Sequence, residues 1–258
     1  LAFFAPNTSI DTGAADRYAA NRLTVVRQVH TKTGAIPDMV LAVNGLPVAT
    51  LELKNAMSAT GWTVENAKSQ YRFERNPKDP LFAFKNRCLV HFAVDTEQAF
   101  MTTHLEGKDT FFLPFNRGFN HGAGNPPMEG DFRTAYLWEE VLERDSLMDI
   151  LARFLHLQVE EKTVVTEKGI KRHRKETLIF PRYHQLDAVR SLTQHAKAKG
   201  SGHNYLVQHS AGSGKSNSIA WLAHRLSSLH DANNEKVFHS VVVITDRRVL
   251  DQQLQNTI

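Results

Sequence analysis

The feature that most constrains the fold is a pair of short apolar runs, DMVLAV (38–43) and PVATLEL (47–53), on either side of Asn44-Gly45. An Asn-Gly pair between two alternating apolar runs is a strong signal for a β-hairpin. If residues 44–46 form the loop, the residue numbers of each opposed pair add up to 90. This predicts the pairs Val43–Pro47, Ala42–Val48, Val40–Thr50 and Asp38–Glu52.

The two faces of this hairpin differ in chemistry because successive strand side chains alternate between faces. The wholly apolar face is predicted to enter the core and consists of Met39, Leu41, Val43, Ala49, Leu51 and Leu53. The other face ends in Asp38, Glu52 and Lys54, with the two carboxylates opposed across the hairpin. The sequence therefore predicts one cluster of two acids and an amine.

Clustered carboxylates repel each other unless a cation lies between them, and hard oxygen ligands suit Mg²⁺. A lysine beside such a metal can orient or deprotonate water, so Asp38, Glu52 and Lys54 indicate metal-dependent phosphodiester cleavage, with Asp38 and Glu52 as metal ligands. The alternative is that Glu52 and Lys54 form an ordinary surface pair at the rim of a strand.

A second motif begins at YLVQ, continues through HSAGSGKS (209–216) and enters an amphipathic stretch. Strand, glycine-rich loop, Lys-Ser and helix is the arrangement of a P-loop. Lys215 is expected to reach the β- and γ-phosphates of ATP, and the hydroxyl of Ser216 to bind Mg²⁺. The predicted nucleotide-binding loop residues are Ala211, Gly212, Ser213, Gly214, Lys215 and Ser216. His209 stands where a Gly or Ala is usual.

Composition is that of a globular protein, with 41% apolar and 22% charged residues and a net charge of +4. Cys88 is the single cysteine, which excludes an internal disulfide and fits a reducing cytoplasm. No apolar run approaches the roughly 20 residues of a membrane span. The chain begins without Met and stops inside an expected helix, which suggests a piece of a longer protein.

Strands are expected over 22–30, 38–43, 47–53 and 87–95, and helices over 63–76 and 134–156. Lysines and arginines crowd into residues 166–177, which are interpreted as a flexible basic connection, with a phosphate-contacting arm as the alternative. After it, helices alternate with strands over 205–208 and 240–245, a pattern typical of a parallel, helix-flanked sheet. The resulting organisation is an α/β chain with domains at 1–165 and 178–258.

The stretch PDMVLAVNGLPVATLELKN resembles the PD-(D/E)xK nuclease signature, in which the acids hold the metal and the lysine assists the water. Related nucleases add a Gln and a Tyr from a following helix, and this resemblance implies a supporting catalytic role for Gln70 and Tyr71. Their adjacent spacing departs from the family's Gln-x-x-x-Tyr pattern.

FPRYHQLDAV, thirty residues before Lys215, resembles the adenine-reading Q motif of superfamily 2 helicases. The resemblance implies that Gln185 hydrogen-bonds adenine with Arg182 beside it. SVVVITDRRVLDQQL resembles the next helicase motif, in which Arg247 and Arg248 could contact phosphates. The chain ends before any acidic Walker B or DExH motif, so this segment is expected to bind ATP without hydrolysing it.

The order of these segments resembles the restriction (R) subunit of type I restriction-modification enzymes. The resemblance also includes RCLVHFAVDTEQAFMTT, YLWEEVL and the glycine-rich loop 115–127. It implies a PD-(D/E)xK-type nuclease domain with a mixed sheet, followed by the beginning of a RecA-like parallel-sheet P-loop motor domain. It further implies ATP, Mg²⁺, translocation on double-stranded DNA, and partner methylation (M) and specificity (S) subunits.

Two alternatives stay open at this point. One is a repair-type helicase–nuclease that works without M and S subunits. The other is a non-catalytic ATP-binding module whose hairpin is purely structural. Loop 115–127 fits either a contact role or a packing role.

Overall fold

A computed structural model of the chain describes residues 2–4, 12–59, 61–166 and 169–245, with the side chains of 162–173 left out. The described chain divides into one unit that contains residues 13–180 and a second that contains residues 181–245. The motif predicted at Arg247 and Arg248 lies outside the described residues.

The first unit is built on a six-stranded sheet, which is mixed, as the resemblance implied. The strands, in spatial and chain order, are β1 (Leu23–Arg27), β2 (Met39–Val43), β3 (Leu46–Leu53), β4 (Val90–Val94), β5 (Ala99–Thr102) and β6 (Leu113–Pro114). Only β3 and β4 run parallel to each other, and every other neighbouring pair is antiparallel. The hairpin predicted from the Asn-Gly signal is β2–β3.

The hairpin turn has two residues, because Asn44 and Gly45 have φ angles of 51° and 79°. Positive φ at both positions is what a type I′ turn requires. Next to the turn the predicted pairs are therefore wrong: Val43 pairs with Leu46, and Ala42 pairs with Pro47. An irregularity between Leu41 and Ala42 then restores the predicted register, so that Val40 faces Thr50.

Both faces of the hairpin are covered, whereas the sequence predicted a core position only for the apolar face, of which Val43, Ala49 and Leu51 are buried. Helix α2 (Val64–Phe73) packs on the face of Val40, Thr50 and Glu52, and Thr50 and Glu52 are fully buried. Helix α3 (Arg144–Arg153) contributes Leu147 and Met148 to the cluster on the opposite face. Met39, Leu41 and Leu53 of the predicted core face are only half-buried.

The helix predicted over 134–156 is interrupted. A π-helical turn covers Leu137–Val141, and α3 begins at Arg144 with Glu143 as its N-cap. The Glu143 carboxylate accepts hydrogen bonds from the backbone N–H groups of Asp145 and Ser146, which satisfies the first turn of α3. Helix α1 (Thr12–Ala19) precedes β1.

The stretch expected as a flexible basic connection belongs instead to a two-stranded antiparallel ribbon. Strand β7 (His156–Thr166) pairs along its whole length with β8 (Gly169–Ile179). At its base, the Thr103 hydroxyl donates to the carbonyl of Leu178, and Lys85 forms an ion pair with Glu176. The boundary between the two units falls after Phe180.

The second unit contains α4 (Tyr183–Lys199) and α5 (Lys215–Ser227). The strands predicted over 205–208 and 240–245 are not formed, and Leu206 and Ile244 are 92% and 89% exposed. A strand needs a hydrogen-bonded neighbour, and within the described residues neither segment has one. The expected RecA-like parallel sheet is therefore not observed in this part of the chain.

None of the helices in the described ranges has the length and apolar character needed to cross a bilayer.

Candidate functional site

The predicted acids and amine come together where β2 begins and β3 ends. The Nζ atom of Lys54 lies 3.8 Å from Oδ2 of Asp38. The same Asp38 oxygen accepts a 2.8 Å hydrogen bond from the backbone N–H of Leu53, which fixes the carboxylate against β3. The Lys54 side chain is only 7% exposed, whereas that of Asp38 is 38% exposed, so the pair is open to solvent on the Asp38 side.

Glu52 is the buried member of this cluster. Its Oε1 atom accepts a 2.6 Å hydrogen bond from Nε of Arg75, and both side chains are almost completely buried. Burial raises the pKa of Glu52 to about 7; Arg75 opposes this shift, and the charge of Asp38 adds to it. The Oε2 atom is buried and has no hydrogen-bond partner among the described residues. This oxygen, on a carboxylate whose charge interacts with that of Asp38, is an atom that a cation could bind.

Arg75 was not among the residues singled out from the sequence. Its Nη2 atom also donates to the carbonyl of Ile36 at 3.2 Å, just ahead of Asp38, so one guanidinium ties together the segments that carry both acids. The buried stripe of α2 includes Ala67 and Tyr71. Arg75 continues that stripe four residues after Tyr71, which is the sequence signal that could have found it.

Tyr71 is placed beneath the cluster. It is fully buried, and its hydroxyl shares a 2.8 Å hydrogen bond with Thr50 Oγ1, which lies 2.7 Å from Nδ1 of the buried His91. Burial, and next the charge of Glu52, raise the pKa of Tyr71. Gln70 is half-buried, and its Oε1 atom has no partner within the described ranges.

The donor set is compatible with one hard cation. The described residues contain no group of three or more His, Cys, Asp or Glu side chains placed to bind a metal. Mg²⁺, however, is commonly held by one or two carboxylates, with water and substrate phosphate oxygens as its other ligands. Asp38 and the unpaired oxygen of Glu52 provide that number of carboxylates.

The glycine-rich loop of the second unit ends at the first turn of α5. Gly212 and Gly214 have φ angles of 71° and 80°, a region that favours glycine, and Gly214 is the N-cap of α5. The Nζ atom of Lys215 donates to the carbonyls of His209 and Ser210, at 3.0 Å each. The lysine amine therefore folds back over the loop. Ser216 is half-buried in the first turn of α5, and Ala211 is exposed.

The start of α4 is joined to this loop by side-chain hydrogen bonds. Arg182 donates from Nη2 to the carbonyl of Gly212 at 2.8 Å. Gln185 is buried, and its Nε2 atom donates to the carbonyl of Gly214 at 2.8 Å while its Oε1 atom accepts from the Arg182 N–H at 2.9 Å. The side-chain amide of Gln185, which was predicted to hydrogen-bond adenine, thus has both its oxygen and its nitrogen hydrogen-bonded to protein groups. The buried Ser213 hydroxyl has no partner among the described residues.

Two family models match the chain. The model for the N terminus of the type I restriction enzyme R protein matches residues 10–110, which include the hairpin, α2 and the whole acid–amine cluster. The model for the SWI2/SNF2 ATPase matches residues 184–258, which include the glycine-rich loop. No solved structure gives a significant match.

Two curated relatives are endonuclease subunits by name. The chain is 28% identical over 229 residues to one from Methanocaldococcus jannaschii, named for the type I restriction enzyme MjaVIIIP, with 86% of this chain and 19% of the relative covered. It is 24% identical over 250 residues to the type I restriction enzyme HindI endonuclease subunit of Haemophilus influenzae, with 94% of this chain and 22% of the relative covered. The chain thus spans about a fifth of the length of these relatives. The R-protein model over residues 10–110 and both relatives agree with the resemblance seen in the motifs, and together they support an R subunit of a type I restriction enzyme as the class of protein to which this chain is similar.

Proposed function

We propose that the first unit is a metal-dependent endonuclease that cleaves double-stranded DNA, with Asp38 and Glu52 as metal ligands and Lys54 as the catalytic amine. One observation supports this more than any other: the Lys54–Asp38 pair lies beside a buried carboxylate oxygen of Glu52 that has no partner among the described residues. A structural surface pair would not need an adjacent, fully buried and half-unpaired acid, because burial of a carboxylate costs free energy.

The protein residues divide the chemical work among them. A Mg²⁺ ion held by Asp38 and Glu52 would supply Lewis-acid stabilisation of the charge that develops on the phosphate. The Lys54 ammonium, which lies 3.8 Å from the Asp38 carboxylate, orients the attacking water and neutralises a phosphate oxygen. Arg75 holds Glu52 in place through Oε1 and leaves Oε2 for the cation. Gln70, with its unpaired Oε1 atom, is proposed as a supporting residue, and Tyr71 as a supporting residue through the buried network.

The second unit is proposed to bind ATP through the loop at 211–216. Lys215 would exchange its bonds to the loop carbonyls for the β- and γ-phosphates, and Ser216 would bind Mg²⁺. Arg182 and Gln185 hold the loop in shape through Gly212 and Gly214. In the whole protein we propose ATP-driven translocation on DNA, in a complex with M and S subunits, which the similarity to type I restriction enzyme subunits supports.

The test separates the two activities in the full-length protein assembled with its partner subunits. Single substitutions Asp38→Ala, Glu52→Ala and Lys54→Ala are expected to abolish DNA cleavage while ATP hydrolysis and translocation persist. Because the three residues act as a unit, double substitutions are expected to be no worse than the single ones. Lys215→Ala is the matched control, and this variant is expected to lose ATP hydrolysis. An Asp38→Ala enzyme that cuts DNA at the normal rate would overturn the nuclease assignment.

A further inference from the structure

A cavity of about 260 Å³ opens directly beside the proposed catalytic amine. Lys54 lines it, together with residues at the end of β4 and aromatic side chains near the π-helical turn. Two of the lining side chains, Phe132 and Trp138, are 45% and 43% exposed. The cleavage chemistry proposed above uses Asp38 and Glu52, neither of which lines the cavity, so the cavity has no assigned role.

Phe132 and Trp138, the aromatic residues at this cavity, are exposed and are not part of the buried hydrophobic core. Trp138 lies in the π-helical turn between the buried Leu137 and Val141, and π-turns occur frequently at functional sites. A further exposed aromatic, Trp62, has the Lys54 amine 5.5 Å from its ring centroid. Exposed aromatic faces next to a cation are the surface on which single-stranded nucleic acids stack their bases.

The polar groups of the cavity favour a neutral ligand that can hydrogen-bond. Thr96 lines the cavity, is 5% exposed, and its buried hydroxyl has no partner among the described residues. Both oxygens of the Asp95 carboxylate already accept hydrogen bonds, Oδ2 from the backbone N–H of Val64 and Oδ1 from those of Glu97 and Gln98. A second metal ion would find no acid other than Asp95 among the lining residues, whereas a planar heterocycle would find two exposed aromatic rings, with Thr96 and its unpartnered hydroxyl in the wall.

The geometry points to one ligand: we propose that this cavity holds one unstacked nucleobase of the DNA strand whose phosphate lies at Lys54. The inference rests on the proposed nuclease function, and it adds the requirement that the strand is locally unpaired when it is cut. A volume of about 260 Å³ is below the range of roughly 300–1,000 Å³ usual for drug-sized ligands, which suits a single base.

The experiment compares two oligonucleotides that differ only in their bases. The full-length protein is titrated, without Mg²⁺ and ATP, with a labelled single-stranded oligodeoxynucleotide and with an abasic oligomer that has the same number of phosphates. Fluorescence anisotropy gives both dissociation constants. Stacking of one base is expected to make the base-bearing oligomer bind more tightly, by roughly 5- to 100-fold.

The variants assign that preference to the cavity. Trp138→Ala and Phe132→Ala should each remove most of it, Trp138→Phe should retain it, and Thr96→Val should reduce it by a smaller factor. Phe111→Ala is the matched control, because Phe111 is an aromatic side chain that is 72% exposed and does not line the cavity. Circular dichroism checks that each variant is folded, and if Trp138→Ala unfolds, Phe132→Ala decides.

A second measurement localises the base without any substitution. An oligomer that carries 5-iododeoxyuridine should photocrosslink to Trp138 or Phe132, as mapped by mass spectrometry. An unchanged base preference in both alanine variants, or crosslinks only outside the cavity, would overturn the inference. Binding by free deoxynucleoside monophosphates but not by the oligomer would also overturn it. Since none of these assays needs cleavage, the result is independent of whether Asp38→Ala cuts DNA.

Discussion

The Nε atom of Arg75 donates a 2.6 Å hydrogen bond to Oε1 of Glu52, and the two side chains are 7% and 0% exposed. A buried ion pair is weak support for stability, because the desolvation of both charges offsets their attraction. In this protein the Arg75–Glu52 pair instead fixes the position of the Glu52 side chain. Arg75 also holds the Ile36 carbonyl, so Glu52 and the start of the Asp38 segment are fixed relative to each other.

Removing one partner of this pair is expected to cost more than removing both. Arg75→Met should lower the free energy of unfolding by about 3–5 kcal/mol, because it leaves the Glu52 carboxylate buried without its partner. Arg75→Met combined with Glu52→Met should recover much of that loss. Urea unfolding measures both values. Glu74→Gln is the control, since Glu74 is an exposed partner 3.9 Å from Arg75 and should change stability by less than about 0.5 kcal/mol.

Asp38 has two roles that substitutions can separate: it accepts a structural hydrogen bond from the Leu53 N–H, and it is proposed to supply a negative charge to a cation. Asp38→Asn keeps an oxygen that can accept the hydrogen bond from the Leu53 N–H, so its stability should be close to that of the parent protein. Asp38→Ala loses that bond and should be less stable by about 1 kcal/mol. Both variants should lose DNA cleavage, because neither supplies a carboxylate to a cation. A cleavage-competent Asp38→Asn enzyme would show that Asp38 acts only as a structural acceptor.

Tyr71→Phe tests whether Tyr71 contributes to chemistry or only to packing. The substitution removes a buried hydroxyl that bonds Thr50 and also donates to the carbonyl of Phe92 at 3.3 Å. Stability should fall by about 1–3 kcal/mol, because these buried partners are left unsatisfied. The cleavage rate of the folded fraction should change little, because Tyr71 is proposed to support the cluster by holding the buried network in place and is itself fully buried. A large fall in that rate with unchanged stability would instead assign Tyr71 to the active site.

The buried His91 should make stability depend on pH. Burial lowers its pKa to about 3, from an ordinary value of 6.5. Between these values the unfolded chain binds a proton that the folded chain does not, so the free energy of unfolding should decrease as pH falls from about 6.5 toward 3. The slope that His91 contributes is about 1.4 kcal/mol per pH unit. Urea unfolding of the parent and of His91→Gln, between pH 4.5 and 7.5, should show a smaller slope in the variant.

Gly214 should be as important for nucleotide binding as Lys215, although it offers no side chain. A Cβ atom at Gly214 would lie 2.5 Å from Nε2 of Gln185, and the φ of 80° is unfavourable for other residues. Gly214→Ala should therefore weaken ATP binding about tenfold or more, an order of magnitude for strain of this kind. Calorimetric titration with ATP measures it. Gly212→Ala is the comparison, because no atom lies within 4 Å of a Cβ there and only the backbone strain remains.

The local sequence was sufficient for the features that depend on neighbours in the chain. The Asn-Gly pair and the alternation of apolar residues predicted β2–β3 and the facing of Val40 and Thr50, because turn geometry and strand period are short-range properties. The α2 and β4 predictions succeeded for the same reason. The exact turn length was missed, because a shorter loop and a compensating irregularity leave the same register farther along the strands.

Tertiary structure decided everything that depends on distant residues. Burial of the Glu52 face required α2 to pack on it, and the Arg75–Glu52 pair joins residues that are 23 positions apart. Pairing of β7 with β8 made a ribbon from residues whose charge alone suggested a solvated connection. The runs at 205–208 and 240–245 have strand composition but no partner within the described residues. A strand's hydrogen bonds are made to another segment, so composition can favour a strand while only the fold supplies its neighbour.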